Sequence, residues 1–193
     1  MKGRTLFRIV KPLALVFSFL FKITPNFILF FIWDLLSVID NKVAVFFRYC
    51  IIKSKSKICG DNIYVGKNVT IKKIGFLELG SNISIHNNCY IDASGGIEIN
   101  NDVSIAHSST IMSSSHTWED KTVPIKYNPQ TYSKVVIDSN VWIGCGVRVL
   151  YGVHIKKNII LGAGSICNKS LLEEGIYAGV PAKKIKDILW IQV

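Results

Sequence analysis

Histidine, cysteine and carboxylate side chains carry most enzyme chemistry, and in this chain they are sparse enough to weigh one by one. Of the four histidines, His116 alone sits in a long polar stretch, MSSSHTWEDKTVP, directly after three serines. An imidazole there can act as a general base near neutral pH, because histidine is the side chain whose unperturbed pKa suits that task. Position alone leaves a solvated loop histidine equally open. Glu119 and Asp120 follow closely enough to orient the ring. His107 and His154 fall at turn or surface positions, and His86 directly follows an aliphatic residue of the repeat described next. The five cysteines (50, 59, 89, 145 and 167) are odd in number and contain no CxxC pair. That argues against a disulfide framework or a zinc site and for a reducing compartment.

The elements that hold these residues are legible from a repeat. VIDSNVWIGCGVRVLYGVHIKKNIILGAGSICN, residues 135–167, places Ile137, Ile143, Val149, Ile155 and Leu161 six apart, with Cys167 closing the row. Helices and half-buried strands have periods of about 3.6 and 2, so neither fits. Upstream the row continues through Val65, Ile71, Leu79, Ile85, Ile91, Ile99, Ile105 and Ile111. Most steps are six, but 71→79 and 91→99 are eight, and the long interruption 112–136 begins twenty residues after the second of these. Three insertions therefore leave one corner of a coil made of three hexapeptides. Each hexapeptide supplies a short flat strand and a turn, and stacked coils bury a continuous aliphatic core. Asn and Gly recur at the turns (Gly60, Gly66, Asn68, Gly80, Asn82, Asn140, Gly144, Asn158, Gly162), where positive φ costs them little. Hexapeptide stacks are left-handed, an exception to the right-handed crossover rule. The expected fold is all-β: a left-handed parallel β-helix over 58–182 with loop 112–136 extruded, a helical segment over 1–57, and a short C-terminal helix or tail over 183–193.

Residues 1–57 differ in kind. They carry +8 of the formal charge of +10 and contain the runs LALVFSFLFK and FILFFIWDLLSVI. Neither run reaches the ~18–20 apolar residues of a spanning helix. Lys22 follows the first run and no A-x-A site appears, so a signal peptide fits poorly. Two helices meeting near Thr24-Pro25-Asn26 are expected. They pack on the domain or a neighbouring subunit, or lie on a membrane surface drawn by anionic lipid, and the two can coexist. A cytoplasmic protein is expected, with peripheral contact on the inner face of the cell membrane in the second case. No reading module for nucleic acid is recognisable, so nucleic acid is not expected as a partner.

Three segments, NVWIGCGVRVLYGVHI, GAGSICNKS and AGVPAKKIK, resemble in order and spacing the hexapeptide-repeat acyltransferases, especially the galactoside, maltose and capsular-polysaccharide O-acetyltransferase branch. The likeness covers about residues 58–188. It implies a homotrimer that binds acetyl-CoA in clefts between adjacent β-helices, with no metal. It implies that His116 is the catalytic base for direct transfer of an acetyl group to a sugar hydroxyl of a surface polysaccharide or its lipid-linked precursor. A backbone N–H or polar side chain would hold the oxyanion. For the donor the resemblance points to Trp142 and Cys145 beside the pantetheine arm, and to Ala163 and Gly164 as small residues under it. Lys169, Lys183 and Lys186 would meet the phosphates, although the family often carries Arg at the last two. Cys145 is not a nucleophile, since direct transfer needs no acyl-enzyme. The family has an acceptor-contacting Asn thirty residues before its histidine. This chain has His86 there, so His86, Asn87 or Asn88 is expected to meet the acceptor. Asp92, one residue from the family's acidic position, is expected to contact sugar hydroxyls of the acceptor.

Other readings carry specific requirements. Because the acceptor position departs from the family, N-acetylation of an amino sugar is the alternative reaction. A non-enzymatic β-helix scaffold would need neither His116 nor the GAGS segment with its lysine. A γ-class carbonic anhydrase needs three converging histidines, two of them five apart, whereas His107 and His116 are nine apart and no other pair fits. A serine acetyltransferase would need a helical acidic/His domain at the N-terminus. A preceding Rossmann half is excluded by the missing Gly-rich phosphate loop.

Overall fold

The computed structural model describes residues 3–189, in which three helices precede a stack of six triangular coils. The stack is a left-handed parallel β-helix. Its first face runs through Ile58–Cys59, Leu77–Leu79, Ile97–Ile99, Val135–Ile137 and His154–Ile155. The second runs through Tyr64–Val65, Ser84–Ile85, Ser104–Ile105, Val141–Ile143, Ile159–Leu161 and Gly175–Ala178. The third runs through Thr70–Lys72, Tyr90–Asp92, Thr110–Met112, Arg148–Val149 and Ile166–Cys167. Register keeps the aliphatic row in columns: Val65 pairs with Ile85, Ile85 with Ile105, Ile105 with Ile143, and Ile143 with Leu161. Each of these side chains is fully buried. Burying one such chain contributes about 2–3 kcal/mol, so the column is the main source of stability. All three insertions leave the corner between the third and first faces.

The turns use Asn and Gly for two different reasons. Positive φ falls on Asn62, Asn68, Asn82, Asn140 and Asn158, among others, and not on Gly60, Gly66, Gly80, Gly144 or Gly162. Those five glycines answer to space. A Cβ on Gly66 would lie 2.2 Å from Asn87 Oδ1, and one on Gly144 would lie 2.6 Å from Leu161 O in the next coil. The asparagines add a second bond between coils, as in Asn62 Nδ2 to Asn82 Oδ1 at 2.9 Å and Asn140 Nδ2 to Asn158 Oδ1 at 2.8 Å.

The N-terminal segment forms three helices, not two: α1 (Gly3–Ile23), α2 (Asn26–Ser37) and α3 (Lys42–Lys55). The break at Pro25 lies where the sequence puts it, because proline cannot continue a helix as donor. The third helix is started by Asn41, whose Oδ1 accepts from Ala44 N at 2.8 Å. Phe17 of α1 packs edge-on against Phe46 and Phe47 of α3. Buried Arg48 joins the segment to the first coil: Nε donates to Val65 O at 2.9 Å, and Nη1 donates to Leu36 O at 2.6 Å and Ile39 O at 3.0 Å. Lys53 reaches the carbonyls of Cys59 and Gly60, and Trp33 Nε1 that of Val69. Asp61 pairs with both Lys11 and Lys53.

At the other end, the short C-terminal helix expected over 183–193 is a strand at Lys183–Lys186, antiparallel to Gly175–Ala178. The free edge of the last coil offers ladder hydrogen bonds at once, whereas a four-residue helix must first bear its nucleation cost. Residues 190–193 lie outside the described part. Among the described residues, no helix is long and apolar enough to cross a membrane.

Candidate active site

The long insertion leaves the third coil after Met112 and folds as a hairpin. Ser114–His116 runs antiparallel to Gln130–Tyr132, with Ser114 opposite Tyr132 and His116 opposite Gln130. Its root is fastened by serines. Buried Ser113 donates from Oγ to Asp92 O at 2.7 Å and accepts from Gly95 N at 2.8 Å. Ser114 Oγ donates to Asp92 Oδ2 at 2.8 Å, and Ser94 donates to Oδ1 from its backbone N–H at 3.0 Å and from its hydroxyl. Burial pushes the Asp92 carboxyl up, but these donors, with Lys72 nearby, outweigh it and hold the group below the usual carboxylate range. Gly95 is obligatory here, since a Cβ would lie 2.2 Å from Ser113 O.

At the end of this strand His116 is exposed. Its Nε2 lies 3.4 Å from Gln130 Nε2. Tyr132 Oη donates to Gln130 Oε1 at 2.8 Å and so turns the amide nitrogen toward the ring. An amide N–H can only donate, so a neutral ring that accepts it carries its hydrogen on Nδ1 and its lone pair on Nε2. Gln130, oriented by Tyr132, is thus the group that meets the histidine, and not Glu119 or Asp120. Asp120 is instead bound to Thr122 through N–H and hydroxyl at 2.8 and 2.6 Å. The outer loop has its own frame: Asn128 and Asp120 exchange hydrogen bonds at 3.0 and 3.1 Å, and Thr117 closes on Pro129 O.

The donor-side residues gather on the second face and the corner that follows it. Cys145 and Gly164 are joined by Gly164 N–H to Cys145 O at 2.8 Å, and Ala163 N lies against Gly144. Ala163 and Gly164 are exposed, and the Cβ position of Gly164 has no atom within 4 Å. Trp142 projects from the same face, 54% exposed. Register carries that face from Trp142 through Ile160 and Ile176 to Lys186, with Lys183 opposite Ala178. This open corner of small residues lies beside a face that carries an exposed indole and two isoleucines and ends in two exposed lysines, and it leaves room for an extended thioester arm. Intervening Lys184 is held by Asp187 at 2.8 Å and Glu173 at 3.4 Å. Lys169 stands elsewhere, on the corner that carries the hairpin, two coils beyond its root.

The acceptor-side residues are split. Asp92 roots the hairpin. Exposed His86 lies on the corner between the second and third faces, its ring 5.5 Å from that of Tyr64. Asn88 has φ of 61° and accepts from Asn68 Nδ2 at 3.2 Å, which makes it a coil-stacking residue first. Within one chain the donor strip and His116 therefore occupy different corners of the prism. Burial pushes the thiols of Cys50 and Cys167 up to about 11 and that of Cys59 to about 12, so these stay protonated near neutral pH. His154 Nε2 lies 3.1 Å from Asp138 Oδ1. Among the described residues no group of three or more His, Cys, Asp or Glu could hold a metal ion. Reading the sequence missed Gln130 and Tyr132; the available signal was the strand-forming pattern QTY opposite SSH, which pairs only if the insertion folds back on itself.

No protein-family model matches the chain. Over 65 residues it is 43% identical to the galactoside O-acetyltransferase of Lactococcus lactis, a stretch covering 32% of this chain and 31% of that relative. The chain thus spans about a third of that curated relative's length. Its fold matches the crystal structure of a maltose O-acetyltransferase from Clostridium difficile 630 with a TM-score of 0.69 and 24% identity, covering 96% of this chain and 89% of that one. A hexapeptide-repeat acetyltransferase from Vibrio cholerae, solved in complex with acetyl coenzyme A, matches with a TM-score of 0.70 and 20% identity over 79% of this chain and 80% of that one. The likeness to hexapeptide-repeat acetyltransferases thus holds in local sequence and in fold.

Proposed function

We propose that this chain is an acetyl-CoA-dependent O-acetyltransferase that works as a homotrimer and modifies a sugar hydroxyl of a surface polysaccharide or its lipid-linked precursor. The observation that supports it most is the exposed His116 imidazole on a serine-fastened hairpin, with its Nε2 lone pair turned toward the amide of Gln130. A trimer would bring the hairpin corner of one copy to the donor strip of its neighbour, which reunites the groups that a single chain holds apart.

In this reading the acceptor hydroxyl takes the place of the Gln130 amide and gives its proton to His116 Nε2. Its oxygen attacks the thioester carbonyl carbon, an oxyanion forms and collapses, and the C–S bond breaks. The imidazolium returns the proton to the leaving thiolate. Acetyl ester, coenzyme A and neutral histidine result, so the proton balance closes. Trp142, Ala163 and Gly164 line the donor arm, and Lys183 and Lys186 meet its phosphates as point charges.

The test is thiol release from acetyl-CoA in the presence of sugar and lipid-linked glycan acceptors, with the product examined by mass spectrometry. His116→Ala should lower turnover about 10²–10⁴-fold. Loss of the new acetyl group in mild alkali marks an ester; resistance would assign N-acetylation instead. A His116→Ala protein as active as wild type, or no binding of coenzyme A by calorimetry, would overturn the reading.

A further inference from the structure

The first two helices are apolar on both sides. One side of α1 is explained: Phe7, Ala14, Phe17 and Phe21 belong to the core cluster shared with α3 and the first coil. The other side is not. Ile9, Leu13, Val16, Leu20 and Ile23 recur at steps of four and three along one exposed stripe, with Phe19 beside them at 67% exposure. On α2, Phe27, Phe31 and Leu35 continue at steps of four, Phe27 at 75% and Phe31 at 64% exposure, and Val38 and Ile39 extend the surface into the next turn. A monomeric surface rarely leaves so much contiguous apolar area in water. Exposed Arg8 and Lys22 bracket the α1 stripe, and Lys42 follows the α2 turn.

We infer that the exposed α1–α2 face docks, without spanning, on an anionic lipid bilayer. A second copy of this chain is the other occupant to weigh. Of the ten cations in residues 1–57, Lys11 and Lys53 are paired with Asp61, Lys57 is paired with Glu78 and Arg48 is buried; the other six outnumber exposed Asp34 and Asp40, so an anionic membrane surface is complementary, whereas two such segments would repel. Neither helix is long and apolar enough to cross the bilayer, which limits the contact to the headgroup and upper acyl region. The anchoring of α2 fits a docked role. Arg48, Trp33 and the Asn68 N–H to Ser37 O bond fix the helix rigidly to the first coil, so force on the face is transmitted to the prism.

Docking has a consequence for catalysis that rests on the acetyl-transfer reading. The hairpin leaves the third coil, two coil spacings, or roughly 10 Å, along the axis from the coil the helices cover. With the helix layer of about 10 Å between, a bilayer on the α1–α2 face would hold His116 on the order of 20 Å above its surface, within reach of a glycan headgroup. That suits a glycan whose lipid end is embedded, and it names the lipid-linked precursor as the favoured acceptor.

The experiment is vesicle co-sedimentation of the full chain, with phosphatidylcholine alone and with roughly one quarter phosphatidylglycerol. Strong binding to the anionic vesicles, weakened by salt, is expected, and binding to the zwitterionic ones should be at least tenfold weaker. Phe19→Glu with Phe31→Glu changes only exposed positions and should abolish binding to both. Arg8→Glu with Lys22→Glu should weaken anionic binding more than tenfold, since each neutralised charge alone changes partitioning about fivefold. Both double variants should acetylate a soluble sugar as wild type does, so a failure of docking and a failure of the catalytic reading are told apart. Absence of vesicle binding by wild type, or binding unaffected by either double variant, would overturn the proposal. So would a smaller assembly size of the Phe19→Glu, Phe31→Glu protein by light scattering without vesicles, which would assign the face to contact between copies.

Discussion

Ser114 Oγ donates to Asp92 Oδ2 at 2.8 Å across 22 positions of sequence, and this bond ties the strand that ends in His116 to the coil below it. The carboxylate is the hub of the hairpin root, since Ser94 and Ser114 occupy both of its oxygens. Asp92, singled out in the sequence as an acceptor contact, does its visible work on the protein itself.

Asp92→Ala should loosen the hairpin without unfolding the prism. The lost charge-assisted bonds are worth about 1.5–3 kcal/mol. Amide exchange at 114–116 should speed up about tenfold or more, and turnover should fall more than acceptor affinity. Because the carboxyl is held below its usual range when folded, its anchoring is complete above the unfolded value near ~4 and is lost as pH falls through the lower folded value. Exchange measured between pH 6 and pH 3 should show the hairpin opening only toward the acid end, and the Ala variant should lack that step.

Gln130 is a positioning residue. Gln130→Ala frees the unliganded ring to take either tautomer and should reduce kcat/KM for the acceptor about three- to tenfold with KM for acetyl-CoA unchanged. Gln130→Glu leaves an acceptor where a donor stood, favouring the imidazolium and moving the acid limb of the pH–rate profile upward. Steady-state kinetics across pH 5–9 check both, and an unchanged profile in the Glu variant would remove Gln130 from the site.

Gly144→Ala should be among the most damaging single methyl additions. Its Cβ would lie 2.6 Å from Leu161 O and 2.8 Å from Ala163 N, both backbone atoms of the next coil. Forcing the coils apart should cost about 2–3 kcal/mol and disturb the donor strip. Thermal denaturation and coenzyme A titration should both register it, whereas Gly75→Ala, with nothing within 4 Å, should not.

Arg48→Met removes the donor to Leu36 O, Ile39 O and Val65 O at once. Leaving those carbonyls unserved should destabilise the chain by roughly 3 kcal/mol or more. Arg48→Lys should rescue little, because one ammonium cannot reach three carbonyls on two elements. Urea unfolding of the pair is the measurement.

The repeat was legible because the row from Val65 to Cys167 must point inward, and only a coil of three hexapeptides lets it do so. The eight-residue steps mark the corner of the insertions in the sequence itself. Turn chemistry was read less well: glycines assigned to positive φ proved to be spacers, since a one-letter sequence does not distinguish lack of a Cβ from left-handed backbone. Likewise the hairpin partners of His116 depend on antiparallel register within a non-repeating insertion, where no period guides the eye. The third helix was hidden for a similar reason: α3 buries Arg48, a side chain that reads as polar surface until its carbonyl partners are known.

Both ends of the prism are closed by cations. Lys53 and Arg48 sit on the carbonyls of the first coil, and the final strand presents Lys183, Lys184 and Lys186 along the outermost edge. A stack of identical rungs has no intrinsic reason to stop at one molecule, because each terminal rung is a template for the next chain's. The covering helices at one end and the lysines at the other oppose end-to-end addition of one chain to the next.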